Sequence, residues 1–151
     1  MALLAVDTGL RTGLALFGGD GRLVWYRSQH FGSRSALKRG ASGIFEAIPE
    51  LRRIVLEGGG PIAEVWRREA GRRGIASRVI GAEVWREALG AFGDRGRPKR
   101  EADAIARRVI DWSGAPRPTS LRHDAAEAIL IGLWGVIDAG WLEEPPPGMI
   151  G

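Results

Sequence analysis

The apolar positions of this chain fall first into short runs and then into helical stripes. Residues 3–6 are apolar without alternation, and Asp7 ends the run. A short apolar run bounded by turn residues predicts a strand, and one apolar on both faces predicts a central, covered strand. Residues 12–17 and 22–31 give two more strand patterns, joined by Gly18, Gly19, Asp20 and Gly21. Asp-Gly between apolar runs is hairpin chemistry. Ser33 or Ser35 can cap a helix that runs to about Ile48, with Leu37, Ile44, Phe45 and Ile48 inward, and Pro49 ends it.

The second half changes rhythm. Residues 53–57, RIVLE, form a strand that ends on Glu57. Gly58, Gly59, Gly60 and Pro61 then open a helix with Ile62, Val65, Trp66 and Ala70 on one side. Its other side carries Glu64, Arg67, Arg68, Glu69, Arg72 and Arg73, which read as a solvated charged face. A strand at 75–80, a short helix at 82–89, a basic loop at 90–98 and a helix at 99–112 follow. The last helix starts at Thr119 or Ser120 and runs to about Ala139. Its centre, AILIGLWGVI, is apolar all round, which predicts burial. A hairpin followed by strands alternating with helices predicts an α/β fold. The expected sheet is mixed and five-stranded, an antiparallel hairpin plus parallel strands, flanked by helices. Residues 1–140 form one domain on this reading, and 141–151, with Pro145, Pro146 and Pro147, form a tail.

Composition narrows the chemistry. The chain has no cysteine, so disulfides, thiolate metal sites and cysteine nucleophiles are excluded. The sequence shows neither a secretory leader pattern nor an apolar run near the ~18 residues of a membrane span, so the expectation is a cytoplasmic protein. The net charge of +4 favours a polyanionic partner. A GC-rich coding sequence also enriches Arg and Gly, so bulk charge leaves both explanations open.

The acids are more informative. Asp7 and Glu57 each end a strand, and in open α/β sheets sites form outside the carboxyl ends of strands. Asp124 and Glu127 lie three apart at the start of the last helix and so share a side. Each has a plainer reading. Asp7 can cap its own turn or pair with Arg11, and Asp124 and Glu127 can be first-turn acids favoured by the helix dipole. If the last helix crosses beside the first strand, four carboxylates meet, and they require cations. Oxygen-only ligands suit Mg²⁺ or Mn²⁺. Two ions roughly 3.5–4 Å apart suit in-line displacement at a phosphodiester.

Taken in order, these residues resemble a known family. AVDTGLRTGLALF, IVLEGG and RHDAAEAILIGLW are similar to the motifs of RuvC-type Holliday-junction resolvases, members of the RNase H-like superfamily, in the style of phage-like and organellar relatives. Residues 82–90, with Trp85 and Arg86, resemble the segment that precedes a DNA-facing loop in those relatives. The resemblance implies an RNase H-like fold and a homodimeric endonuclease that resolves four-way DNA junctions. It implies two Mg²⁺ ions, with Mn²⁺ able to substitute, held by Asp7, Glu57, Asp124 and Glu127. Lys99 corresponds to a lysine that approaches the scissile phosphate. Many bacterial members have Asp where this chain has Glu127. His123 either ligates metal or relays protons, or simply faces solvent.

With the resemblance in hand, Arg86, Arg95, Arg97, Lys99 and Arg100 gather around one loop as candidate DNA contacts. Phe92 at the loop tip is either a wedge at the branch point or ordinary loop packing. The expected dimer interface is the helix after Pro61, through Trp66. Two other readings keep the same acids: a nuclease acting on other branched DNA or on RNA, and a catalytically idle DNA-binding scaffold. An actin-like ATPase would need a second phosphate motif and a further subdomain, for which the chain is too short.

Overall fold

A computed structural model describes residues 1–90 and 98–150, with the side chains of residues 98 and 99 outside that description. The order is β1 (Ala2–Asp7), β2 (Arg11–Gly18), β3 (Leu23–His30), α1 (Arg34–Glu46), β4 (Leu51–Glu57), α2 (Gly60–Arg72), β5 (Ala76–Ile80), α3 (Ala82–Leu89), α4 (Pro98–Ser113) and α5 (His123–Asp138). The five strands form one sheet in the order β3-β2-β1-β4-β5. β1 runs antiparallel to β2 and parallel to β4, and β4 runs parallel to β5. This is the mixed sheet that the hairpin-then-crossover pattern predicts.

Alternation along the strands divides the core in two. Leu4, Val6, Leu14, Leu16, Ile54 and Leu56 face α1 and α2. Leu3, Ala5, Ala15, Phe17 and Val55 face α3, α4 and α5. α5 lies over β2 and β1 and is buried from Ala125 to Val136. Its glycines let it sit close. A Cβ on Gly132 would lie 2.1 Å from the Phe17 ring, and one on Gly135 would lie 3.0 Å from Val55.

The structure settles or corrects several points of the sequence reading. α5 begins at His123 with Arg122 as its cap residue, not at Thr119 or Ser120. Residues 119 and 120 are exposed beyond the sheet, so no core rewards an extra turn there. Ser33, not Ser35, caps α1, accepting the Ala36 N–H at 3.1 Å. Trp66 is fully buried between α1 and α2, its ring 6.2 Å from that of Phe45, and so cannot supply a dimer interface. The segment after α5 has no regular structure, yet it docks. Met149 is buried, and its carbonyl accepts a hydrogen bond from Arg108 Nη1 at 3.0 Å.

Candidate active site

One row of residues crosses four strands at the end of the sheet where β1 and β4 finish. The register pairs Ser28 with Gly13, Gly13 with Asp7, and Asp7 with Glu57. Side chains in register on neighbouring strands share a face. Parity along each strand puts this row on the α5 side of the sheet. Gly13 is the gap in it. A Cβ there would lie 1.9 Å from the backbone carbonyl oxygen of Asp124. The first turn of α5 therefore rests directly on β2, which brings Glu127 over Asp7 and Glu57 and Asp124 over Ser28.

Asp7, Glu57 and Glu127 each offer a carboxylate oxygen, and these oxygens lie within 4.8 Å of one another. Burial raises the Asp7 carboxyl most. A hydrogen bond with Glu57 and the charges of Glu57, Glu127 and Asp124 add to it, moving it from 3.8 to about 8. Among the described residues no cation is paired with Asp7, so the Arg11 pairing considered from sequence is not formed. The turn after β4 is tied back to β1. The Thr8 hydroxyl donates to the Glu57 carbonyl at 2.8 Å, and the Thr8 N–H donates to the same carbonyl at 3.1 Å. Both bonds fix where Glu57 points.

Asp124 lies apart from this trio. Its Oδ2 accepts the Ser28 hydroxyl at 2.8 Å, and its Oδ1 accepts the Ala125 N–H at 2.9 Å. Asp124 and Glu127 share a helix side, as the spacing predicts, but one turn of rise separates them. Ser28 carries no sequence motif. Its only signal is register, since it sits in line with Gly13 on the strand paired to β2.

Two cationic or protonatable groups reach Glu127. Arg86 Nη2 and His123 Nε2 each lie 3.4 Å from its Oε2. Arg86, expected from sequence as a DNA contact, is thus turned onto the acidic cluster, with its guanidinium carbon 5.2 Å from the Trp85 ring centre. Arg11, Ser120, Arg122, His123 and Asp124 line a cleft of about 440 Å³ beside the acids. Arg11 and Arg122 were not among the DNA contacts expected from the sequence. Arg100 is exposed on the first turn of α4. Phe92, Arg95, Arg97 and the Lys99 side chain lie outside the described residues.

A trio of convergent carboxylates with only oxygen donors has the chemistry to hold a hard divalent cation. The raised Asp7 carboxyl agrees: burial first, and the acids Glu57, Glu127 and Asp124 around it second, make its charged form costly unless a cation sits beside it.

No family model and no curated protein matches the sequence. Solved structures do match. RuvC of Thermus thermophilus superposes with a TM-score of 0.68 over 93% of this chain and 97% of that chain, at 17% identity. The yeast mitochondrial Holliday junction resolvase Ydc2 superposes with a TM-score of 0.51 over 92% of this chain and 81% of that chain, at 11% identity. The chain has the RNase H-like fold seen in RuvC.

Proposed function

We propose that this chain is a structure-selective DNA endonuclease that resolves four-way junctions by metal-dependent phosphodiester hydrolysis. One observation carries the reading: Asp7, Glu57 and Glu127 converge on a fold shared, end to end, with RuvC. Asp7, Glu57 and Glu127 would hold the metal, with Asp124 within reach as a fourth acid. Two Mg²⁺ ions, or Mn²⁺ in their place, would supply an activated water and charge stabilisation of the leaving oxygen.

The chain's own residues do the rest. Thr8 and Ser28 hold Glu57 and Asp124 in place, so the acids are positioned before substrate arrives. Lys99, at the start of α4, would supply positive charge to the scissile phosphate, where it lowers the barrier more than it raises affinity. Arg95, Arg97 and Arg100 would contact backbone phosphates, and Phe92 would either wedge at the branch or pack within its loop. Two strands of a junction must be cut symmetrically, which a two-fold homodimer achieves. Its interface lies elsewhere than Trp66. No helix among the described residues is long and apolar enough to cross a membrane.

The test is cleavage of a labelled four-way junction with Mg²⁺, beside matched duplex and flap DNA. Paired symmetric nicks in the junction alone are expected, with none in EDTA. Equal cutting of flap DNA would make the enzyme a broader branch nuclease. Binding without any cutting would make it a scaffold. Light scattering with and without the junction reads the dimer.

A further inference from the structure

Glu127 is 8% exposed, so its charge is poorly screened by water. It belongs to the trio of acids, yet its Oε2 also faces Arg86, whose charge is fixed, and at the same distance the His123 ring. Arg86 is well placed to stay there. It lies on α3, a helix closed by Gly90 in the left-handed conformation, and its guanidinium sits over the buried Trp85 ring. The other nearby arginines are engaged elsewhere or stand off. Arg78 pairs with Asp138 at 2.6 Å, and Arg11 and Arg122 line the neighbouring cleft without an ion pair to the trio among the described residues.

We propose that Arg86 is the resident counter-cation of the acidic cluster and competes with the metal for Glu127. The inference rests on the metal-site reading above. A carboxylate oxygen that accepts a guanidinium N–H has one direction fewer to offer an ion, and the fixed positive charge repels a second cation. The contact is also loose. At 3.4 Å it is longer than the roughly 2.7–2.9 Å of a strong charge-assisted bond, so a divalent ion can displace it. Arg86 therefore keeps Glu127 neutralised in the metal-free protein and yields when the ion arrives. Monovalent ions carry no more charge than the guanidinium and gain little by replacing it.

The competition is read in the full chain without DNA, as Mn²⁺ binding followed by calorimetry and by electron paramagnetic resonance of the free ion. Arg86→Met removes the charge and keeps an apolar stem over Trp85. It is expected to tighten Mn²⁺ binding about five- to tenfold, an effect moderated by the partial exposure of the pair. Arg11→Met removes a nearby charge that pairs with none of the acids and should change affinity by less than about twofold. Arg86→Gln serves if the Met variant melts early. Unchanged or weaker binding in the Arg86 variants overturns the competition, because a merely structural role would loosen the site and weaken the ion. Equal tightening in Arg11→Met also overturns it, as an effect of net charge. In either case, wild-type binding that disappears in Asp7→Asn leaves the metal site standing. Absence of Mn²⁺ binding in both wild type and Arg86→Met overturns the metal site and the competition together.

Discussion

The two faces of the sheet solve the same packing problem by different means. On one face α5 presses onto β1 and β2 through bare backbone, with Gly13, Gly132 and Gly135 at the contacts. On the other, α2 turns a charged side outward and ties it down with ion pairs. Glu64 meets Arg67 at 3.0 Å and Arg68 at 3.5 Å, and the buried Glu69 meets Arg73 at 2.7 Å as well as Arg72. A cleft of about 610 Å³ lined by Arg34, Lys38, Pro61, Glu64, Arg68 and Arg72 opens there, away from the acids. Close backbone contact leaves no slack, so whatever moves α5 moves Glu127. Surface ion pairs have slack, and the acids do not depend on them. The face that holds the site is packed by backbone contact, and the other by buried side chains with ion pairs on its outer surface.

Gly13→Ala is the hardest blow to this contrast. The new Cβ meets backbone rather than a side chain, so α5 must shift. A loss of about 3 kcal/mol in denaturant unfolding is expected, from overpacking that only a backbone shift can relieve. Junction cleavage should fall by roughly 100-fold, the usual cost of a displacement near 1 Å in a catalytic group. Near-wild-type cleavage would show that α5 is not the rigid partner described here.

Asp7→Asn separates stability from activity on the same face. Replacing the buried, crowded carboxyl by an amide that needs no proton on folding should raise stability in EDTA near neutral pH by about 0.5–2 kcal/mol while abolishing cleavage. Mg²⁺ should stabilise the wild type more than the variant, because the ion binds only the folded site. The pH dependence has a definite sign. Asp7 binds its proton more tightly folded, at about 8, than unfolded, near 3.8. Its contribution is complete below the unfolded value and is lost as pH rises through about 8. Thermal melts in EDTA should show this decline between those limits in wild type, and Asp7→Asn should flatten it.

Glu69→Gln tests the other face. The Arg73 hydrogen bond holds Glu69 below the usual carboxylate range, against the opposing pull of burial, with Arg72 assisting. Its contribution is thus present at neutral pH and lost as pH falls through the lowered value, the reverse of Asp7. The variant should lose about 1–2 kcal/mol at pH 7, less in acid, with cleavage unchanged. A drop in cleavage would couple the two faces. Glu64→Gln is the mildest case. Its pairs with Arg67 and Arg68 are exposed, so unfolding midpoints should move by less than about 0.5 kcal/mol and cleavage not at all.

Much of this was written in the sequence because it depends on local pattern. The run ending at Asp7, the strand ending at Glu57 and the apolar centre of α5 follow from periodicity and from what each position must bury. What escaped the sequence depends on partners far along the chain. Ser28 meets Asp124 across 96 positions, and nothing in SQH announces it. The start of α5 is set by where its backbone meets Gly13, so Thr119 and Ser120, sound capping residues by type, are bypassed. Trp66 misleads in another way. Its size suggests an interface, but its spacing with Ala63 and Ala70 belongs to the buried stripe of α2. Arg86 is the fifth residue of α3, and only the folded chain shows that its charge meets Glu127.

Asp7 and Glu57 stand opposite each other on paired parallel strands, so their separation is graduated by the backbone ladder, at a strand spacing of about 4.8 Å. No side-chain choice sets it. A slip of β4 by one residue against β1 would bring Leu56 or Gly58 opposite Asp7 and turn Glu57 to the far face. The acids are therefore a built-in proofreader of strand alignment. If the trio holds a divalent cation as proposed, the first response to that cation during refolding would report the moment the sheet reaches the correct register.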